Sequence, residues 1–425
     1  MAMGRRRIER QEALFVEAEE LAHAEGWTFY TVLNDLLSVH AFDRFCEERV
    51  AAEKVFDEAM GRPSVPPGVY FRMLLVRYFE GVASERGIAW RCADSLSLRE
   101  FLGYELTETT PDHSTLSGLR RKLGLPLHRA VFDWVLDVAA REGILKGRRV
   151  AVDSTMLQAN ASMKTIVRRC DGVSYRKYLE KLAKAEHAVD VDSGVTVAAE
   201  VHGADQGDAA TMAITASQAD EAVMRVGISG GMTEVVADRG YHADEVIEKL
   251  QTMGLRTSIA EKKQKSNWKA VAQHVGQEKM LRLRQAFRRN HRRVRSAAGC
   301  ALQKLRAEYP ERSFAHVCNT GGFRRVFVRG KRNVAKRLQI HVAAADLGIV
   351  LRKLFGVGTP RGLQGRLAAL LALFSALILA FRRFWGTQRP LRRHSVAERP
   401  LLVVYSPIPF AAVHSDPLAR FSTGS

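Results

Sequence analysis

Two short apolar runs, each ending in an aspartate, constrain this chain more than any other feature. Val150-Ala-Val-Asp153-Ser-Thr and Glu234-Val-Val-Ala-Asp238-Arg-Gly-Tyr-His242 each read as a buried strand followed by polar and glycine residues. A buried strand has no internal use for a carboxylate at its tip, because an ionised carboxylate is costly to bury without a cation or a set of donors. Two such tips point to a hard cation held by oxygen ligands.

Charge distribution points to the partner. The 425-residue chain has a formal net charge of +19. Residues 262–339 alone hold 22 Lys and Arg against three acids, Glu278, Glu308 and Glu311, and so match the whole excess. A basic block of this density beside acidic strands predicts polyanion binding driven by counterion release, with nucleic acid as the expected partner. The five cysteines form no CxxC pair, which supports neither a zinc knuckle nor a disulfide framework and suits a reducing compartment. The basic Met1–Arg7 segment leads into a charged helical pattern rather than an apolar signal region, and a cytoplasmic, nucleoid-associated location is expected. Leu367–Phe381 is nearly all apolar but falls short of the ~20 residues a membrane span needs, so it reads as a core helix.

The pattern divides the chain into a helical N-terminal domain (1–147), an α/β domain (148–385) containing the basic segment 262–339, and an irregular tail (386–425). In the first, Gln11–Gly26 and Tyr70–Phe79 read as helices. Asp112 is placed to cap a helix over His113–Leu123 that Gly124 and Pro126 stop. Arg120, Arg121 and Lys122 fall in its last turn, where they suit DNA docking and equally the helix dipole. From Arg148 the period changes. A strand ends at Asp153, a hairpin runs over 185–201 with its turn at Asp192–Gly194, a helix covers Thr211–Val226, and a strand covers Thr233–Ala237. A helix over His242–Met253 and a strand over Leu255–Ala260 complete a mixed sheet flanked by helices.

On this reading Asp153 and Asp238 converge at one edge of the sheet, and a third carboxylate comes from a later helix. Of the three acids in the basic block, Glu311 is favoured. It lies in Glu311-Arg-Ser-Phe-Ala-His316, next to Gly321-Gly-Phe-Arg-Arg325.

These segments, together with Pro111-Asp-His-Ser-Thr-Leu, Ala204-Asp-Gln-Gly-Asp208 and Gly356-Val-Gly-Thr-Pro-Arg361, resemble bacterial insertion-sequence transposases of the DDE type. The resemblance runs from about Pro66 to Arg361. It implies a ribonuclease-H-like catalytic domain behind a helical domain that helps bind terminal inverted repeats. It implies Asp153, Asp238 and Glu311 as catalytic, metal-binding carboxylates holding two Mg²⁺ or Mn²⁺ ions. It also implies DNA cleavage at element ends followed by strand transfer into target DNA, performed by a homo-oligomer. Arg239, Arg312, Arg324 and Arg325 are candidate phosphate contacts, and His242 and His316 candidate accessory groups. Asp205 and Asp208 read as supporting loop residues.

Two departures keep other readings open. The segment before Ala185 is short, which predicts a weakened second strand beside Asp153. Pro310 directly precedes Glu311, and a helix running through it would displace Glu311. A transposase-derived protein that binds DNA without cutting it, or a metal-dependent nuclease, are the alternatives.

Overall fold

The computed structural model describes residues 25–56, 64–159, 183–262, 268–326, 328 and 330–360. The readings of Gln11–Gly26 (beyond its last two residues), Leu367–Phe381 and the tail fall outside them.

Seven helices form first: α1 (Glu25–Val39), α2 (Phe42–Ala52), α3 (Pro67–Phe79), α4 (Glu85–Asp94), α5 (Leu96–Leu102), α6 (His113–Lys122) and α7 (Leu125–Arg141). Local chemistry sets their ends. The Asp112 side chain accepts the Thr115 N–H at the start of α6, as expected, and Pro126 sits in the first turn of α7.

The sheet follows. It comprises β1 (Arg149–Ala159), β2 (Ala183–Asp190), β3 (Thr196–Gly203), β4 (Glu234–Ala237) and β5 (Arg256–Ile259), in the order β3-β2-β1-β4-β5, with the two-residue β6 (Arg325–Val326) against the end of β1. β1, β2 and β3 pair antiparallel, while β4 and β5 run parallel to β1. This is the ribonuclease-H-like mixed topology the resemblance implies. β4 and β5 are buried beyond their first residues, Glu234 and Arg256, because helices cover both faces, the usual situation for parallel strands.

Two expectations about the strands change. β1 does not stop at Asp153 but continues to Ala159, because its second half pairs with β2 and β6. β2 is not weakened: eight residues pair with β1, and His187 lies opposite Asp153. The hairpin turn is held by the buried Asp190 carboxylate, which accepts from Ser193 and from the Lys146 N–H. Gly194 has φ +82°, and a Cβ there would meet the Tyr309 ring at 3.3 Å, so the turn needs glycine on both counts.

Helices α8 (Asp208–Arg225) and α9 (Asp244–Thr252) flank the sheet, followed by α10 (Trp268–Val275), α11 (Gln277–Val294), α12 (Ala297–Ala315) and α13 (Lys331–Phe355). Alternation along β1 divides the faces. Ala151 packs with Val236 and with Leu302 of α12, while Val150 and Val152 join the main core. The long α13 is buried nearly all round from Val334 to Leu351, because β3, α7 and α3 surround it. The helical segment and the sheet therefore share one core rather than meeting across a loose boundary. Among the described residues, no helix is long and apolar enough to cross a membrane.

Candidate active site

The register places the two aspartates together. Val152 pairs with Ala237 across the parallel β1–β4 ladder, so Asp153 and Asp238 stand one step further on neighbouring strands, which lie about 4.8 Å apart. Both share the parity of Ala151 and Val236 and so belong to the face covered by α12.

Each carboxylate is held locally. Asp153 Oδ1 accepts the Ser154 N–H at 2.8 Å, and Asp238 Oδ1 accepts the Gly240 N–H at 2.8 Å, capping the 3₁₀ turn Arg239–Tyr241. A Cβ on Gly240 would lie 3.0 Å from both Asp238 Oδ1 and Asp208 Oδ2, so glycine lets these carboxylates approach the same turn. Asp208 opens α8 and accepts from Ser154 Oγ at 2.9 Å and Lys184 Nζ at 3.0 Å. Burial raises the Asp153 carboxyl above its ordinary range, and the Asp238 and Asp208 charges add to the rise. The Ser154 N–H and Arg306 oppose it.

Two groups absent from the expected set face Asp153. His187 lies opposite it on β2, stacked on Phe314 with ring centroids 4.1 Å apart and hydrogen-bonded through Nδ1 to Ser313 Oγ at 3.0 Å. Burial lowers this imidazole to about 3, so it is neutral at physiological pH. Arg306 of α12 places Nη2 3.9 Å from Asp153 Oδ2, too long for a hydrogen bond, and its Nε and Nη1 have no partner. Gln303, one turn earlier, donates to the Ala237 and Ser258 carbonyls and so seats α12 across the strand ends.

Glu311 is not gathered with the pair. α12 runs unbroken through the buried Pro310 into a π turn at His316–Thr320. Its sheet-facing side carries Gly299, Leu302, Gln303, Arg306, Pro310 and Ser313. At ~100° per residue, Glu311 lies about 140° around from Arg306, and it is exposed. Glu308 is also exposed and pairs with Arg312. The helical phase of α12 could have revealed this; composition and resemblance pointed elsewhere.

The remaining candidates scatter. Arg239 and Arg121 are exposed. Arg120 pairs with Glu85 at 3.0 Å, and Lys122 lies over the Phe56 ring. Arg312 lies over Tyr309, Arg324 donates to Asn319, and Arg325 stands beside Gln158 in the β6 pairing. His242 is buried edge-on to Phe287, and His316 is half-buried at the start of the π turn; burial lowers both pKa values. On the opposite sheet face, Glu186 is fully buried. It accepts from Thr211, Thr215 and Tyr241, with His202 Nε2 3.4 Å away. Tyr241 belongs to the turn after Asp238, so this buried carboxylate also anchors the loop that carries the second aspartate.

Comparison with known proteins follows the same lines. A transposase DDE domain profile matches residues 145–347, and a profile described as a transposase domain (DUF772) matches residues 20–122. The chain belongs to the DDE transposases. No curated protein matches it. Among solved structures, the Mos1 transposase paired-end complex with left transposon end is similar at 12% identity, over 65% of this chain and 86% of that one, with a TM-score of 0.18.

DDE transposase domains belong to the DNA-cleaving, transesterifying enzymes and generally use divalent metal ions. Asp153 and Asp238 suit such an ion: two oxygen donors on adjacent strands, with no lysine or arginine among the described residues hydrogen-bonded to either. The fit ends at these two. Among the described residues no group of three His, Cys, Asp or Glu could hold a metal ion.

Proposed function

We propose that this transposase cleaves DNA at the ends of its element and joins the freed ends to target DNA, with Asp153 and Asp238 as the carboxylates of the reacting site. The observation that carries the reading is their placement on neighbouring parallel strands beyond the Val152–Ala237 pair. Asp153 and Asp238 would hold a divalent cation, which would supply charge neutralisation on the scissile phosphate and activation of the attacking water. In the first step a water oxygen bonds to phosphorus and the 3′ oxygen leaves. In the second, that 3′-hydroxyl bonds to a target phosphorus as the target's own 3′ oxygen leaves. The number of phosphodiester bonds is unchanged in the second step, so no energy source is required.

The chain's own residues set the substrate. Arg306, with two nitrogens unpartnered beside Asp153, takes a non-bridging oxygen of the phosphate. The exposed arginines of α11 (Arg284, Arg288, Arg289, Arg292) and Arg295 just beyond it have no carboxylate partner among the described residues. They line the DNA path, with Arg239 near the acids and Arg121 and Lys122 at the end of α6. Glu311 completes the acid set only if α12 turns on DNA binding; Pro310, which removes one helical hydrogen bond, is where it would yield. The division into an end-binding helical domain (1–147) and a catalytic domain (148–385) remains part of this proposal.

Incubation of the purified protein with Mg²⁺ or Mn²⁺ and a duplex carrying its terminal repeat tests the reading. Cleaved ends that then join target DNA support it. Nicks without joining indicate a plain nuclease. A second reading, a DNA-binding descendant that no longer cuts, is favoured by the outward-facing Glu311, and metal-independent binding with no cleavage would select it.

A further inference from the structure

Away from the acid pair, buried charge is unbalanced where α3, α6, α7 and α13 meet. A cavity of about 20 Å³ lies there. Four cations line it: Arg77, Arg120, Lys336 and Arg337. Glu85 is the one carboxylate among its lining residues, and Arg120 already engages it at 3.0 Å. Arg77 and Arg337 are only 4% and 6% exposed. His128 and His341, which also line the cavity, add no positive charge: burial lowers His128 to about 4 and His341 well below its ordinary value.

The donors are only partly used. Arg77 donates to the Val82 and Ala83 carbonyls, and Lys336 donates to the Arg120 carbonyl at 2.7 Å. Arg337 donates through Nη2 to the Gly322 carbonyl at 3.1 Å and lies over the Phe323 ring, but its Nε and Nη1 have no partner. Buried guanidinium nitrogens in this state carry a large desolvation cost with nothing to offset it. Burial, reinforced by the Arg77 charge, accordingly lowers Arg337 to about 8. The local sum of four cations and one carboxylate calls for an anion. The narrow space left between these side chains suits a small anion such as chloride.

We propose that this cavity is a binding site for a single monatomic anion, chloride, held by Arg337 with Arg77 and Lys336 and joining α13 to α3 and α6. Because α13 also packs on β3 and α7, the bound anion ties the helical segment to the sheet.

The test is thermal unfolding of the full-length protein as chloride replaces methanesulfonate at constant ionic strength. Methanesulfonate is a larger, polyatomic replacement anion. A saturable rise in Tm of about 1 °C is expected, the shift that ~1 kcal/mol of ligand linkage gives in a chain of 425 residues. The Arg337→Met variant should lose the saturable component, and wild-type crystals grown in bromide should show an anomalous peak in the cavity. A Tm that does not respond to the exchange overturns the proposal, since a water then fills the space. A response retained in full by R337M, or bromide found only elsewhere, overturns it as well. Should R337M fail to fold, the bromide position decides.

Discussion

Two carboxylates on β1 and β2 lie one residue apart in the ladder, on opposite faces of the sheet, and the chain treats them in opposite ways. Glu186 is completely buried, yet burial's upward push on its pKa is overcome by the nearby His202 and by hydrogen bonds from Thr215, Tyr241 and Thr211, and it lies below its ordinary value. Asp153 is less deeply buried, yet burial lifts it above its ordinary value, Asp238 and Asp208 add to the rise, and only the Ser154 N–H and the distant Arg306 guanidinium oppose it. A carboxylate that the fold uses for itself is supplied with donors. One left short of donors beside a second acid is held for something the structure does not itself provide.

That contrast can be broken in order of effect. The largest effect belongs to the under-supplied pair: Asp153→Asn or Asp238→Asn should reduce metal-dependent cleavage of a terminal-repeat duplex to background. Tm should stay unchanged or rise, because the amide removes like-charge repulsion. A large loss of stability in both variants would move these aspartates into the structural class. Next comes the supplied one. Glu186→Gln should cost about 3 kcal/mol in denaturant unfolding, since three hydroxyl donors lose a charged acceptor; a change below ~1 kcal/mol would sink the account of that network.

The pH dependence sharpens the same distinction. Glu186, lowered in the folded state, contributes stability that is present above its ordinary value of 4.5 and lost as pH falls through its folded value. E186Q should flatten the acid limb of a stability–pH profile. Asp346 of α13 has the opposite sign. It is fully buried with one oxygen bonded to the Thr196 N–H and the other unpartnered, and burial pushes it well above 3.8. Its contribution is present below pH 3.8 and lost as pH rises through the folded value. Asp346→Asn should therefore stabilise the protein at pH 7, with the gain shrinking to nothing as pH approaches 3.8. A gain independent of pH would contradict this.

How far the sequence was legible follows from the same chemistry. The strands and the Asp153–Asp238 pairing could be read because buried parallel strands leave uninterrupted apolar runs, and an acid at the end of such a run stands out. The hairpin over 185–201 was equally plain from its Asp192-Ser-Gly194 turn. The length of β1 was not, since Ser154–Ala159 owes its strand state to partners distant in sequence rather than to its own pattern. Glu186 lay unnoticed inside the predicted hairpin because nothing local distinguishes a carboxylate that will meet Thr211, Thr215 and Tyr241. Glu311 was chosen for being an acid in a basic block, whereas its orientation depends on the phase of α12, which places Arg306 toward Asp153 instead. The shared core of α13, α7 and α3 was also hidden, because a helix buried on all sides carries no amphipathic stripe to name its neighbours.

The central claim, that Asp153 and Asp238 form a cation site, is tested most directly by Mn²⁺ titration monitored by electron paramagnetic resonance or calorimetry on the DNA-free protein. The account predicts one saturable site in the wild type that disappears in both Asp153→Asn and Asp238→Asn while persisting in Glu311→Gln. Equal binding by the wild type and both aspartate variants would contradict it.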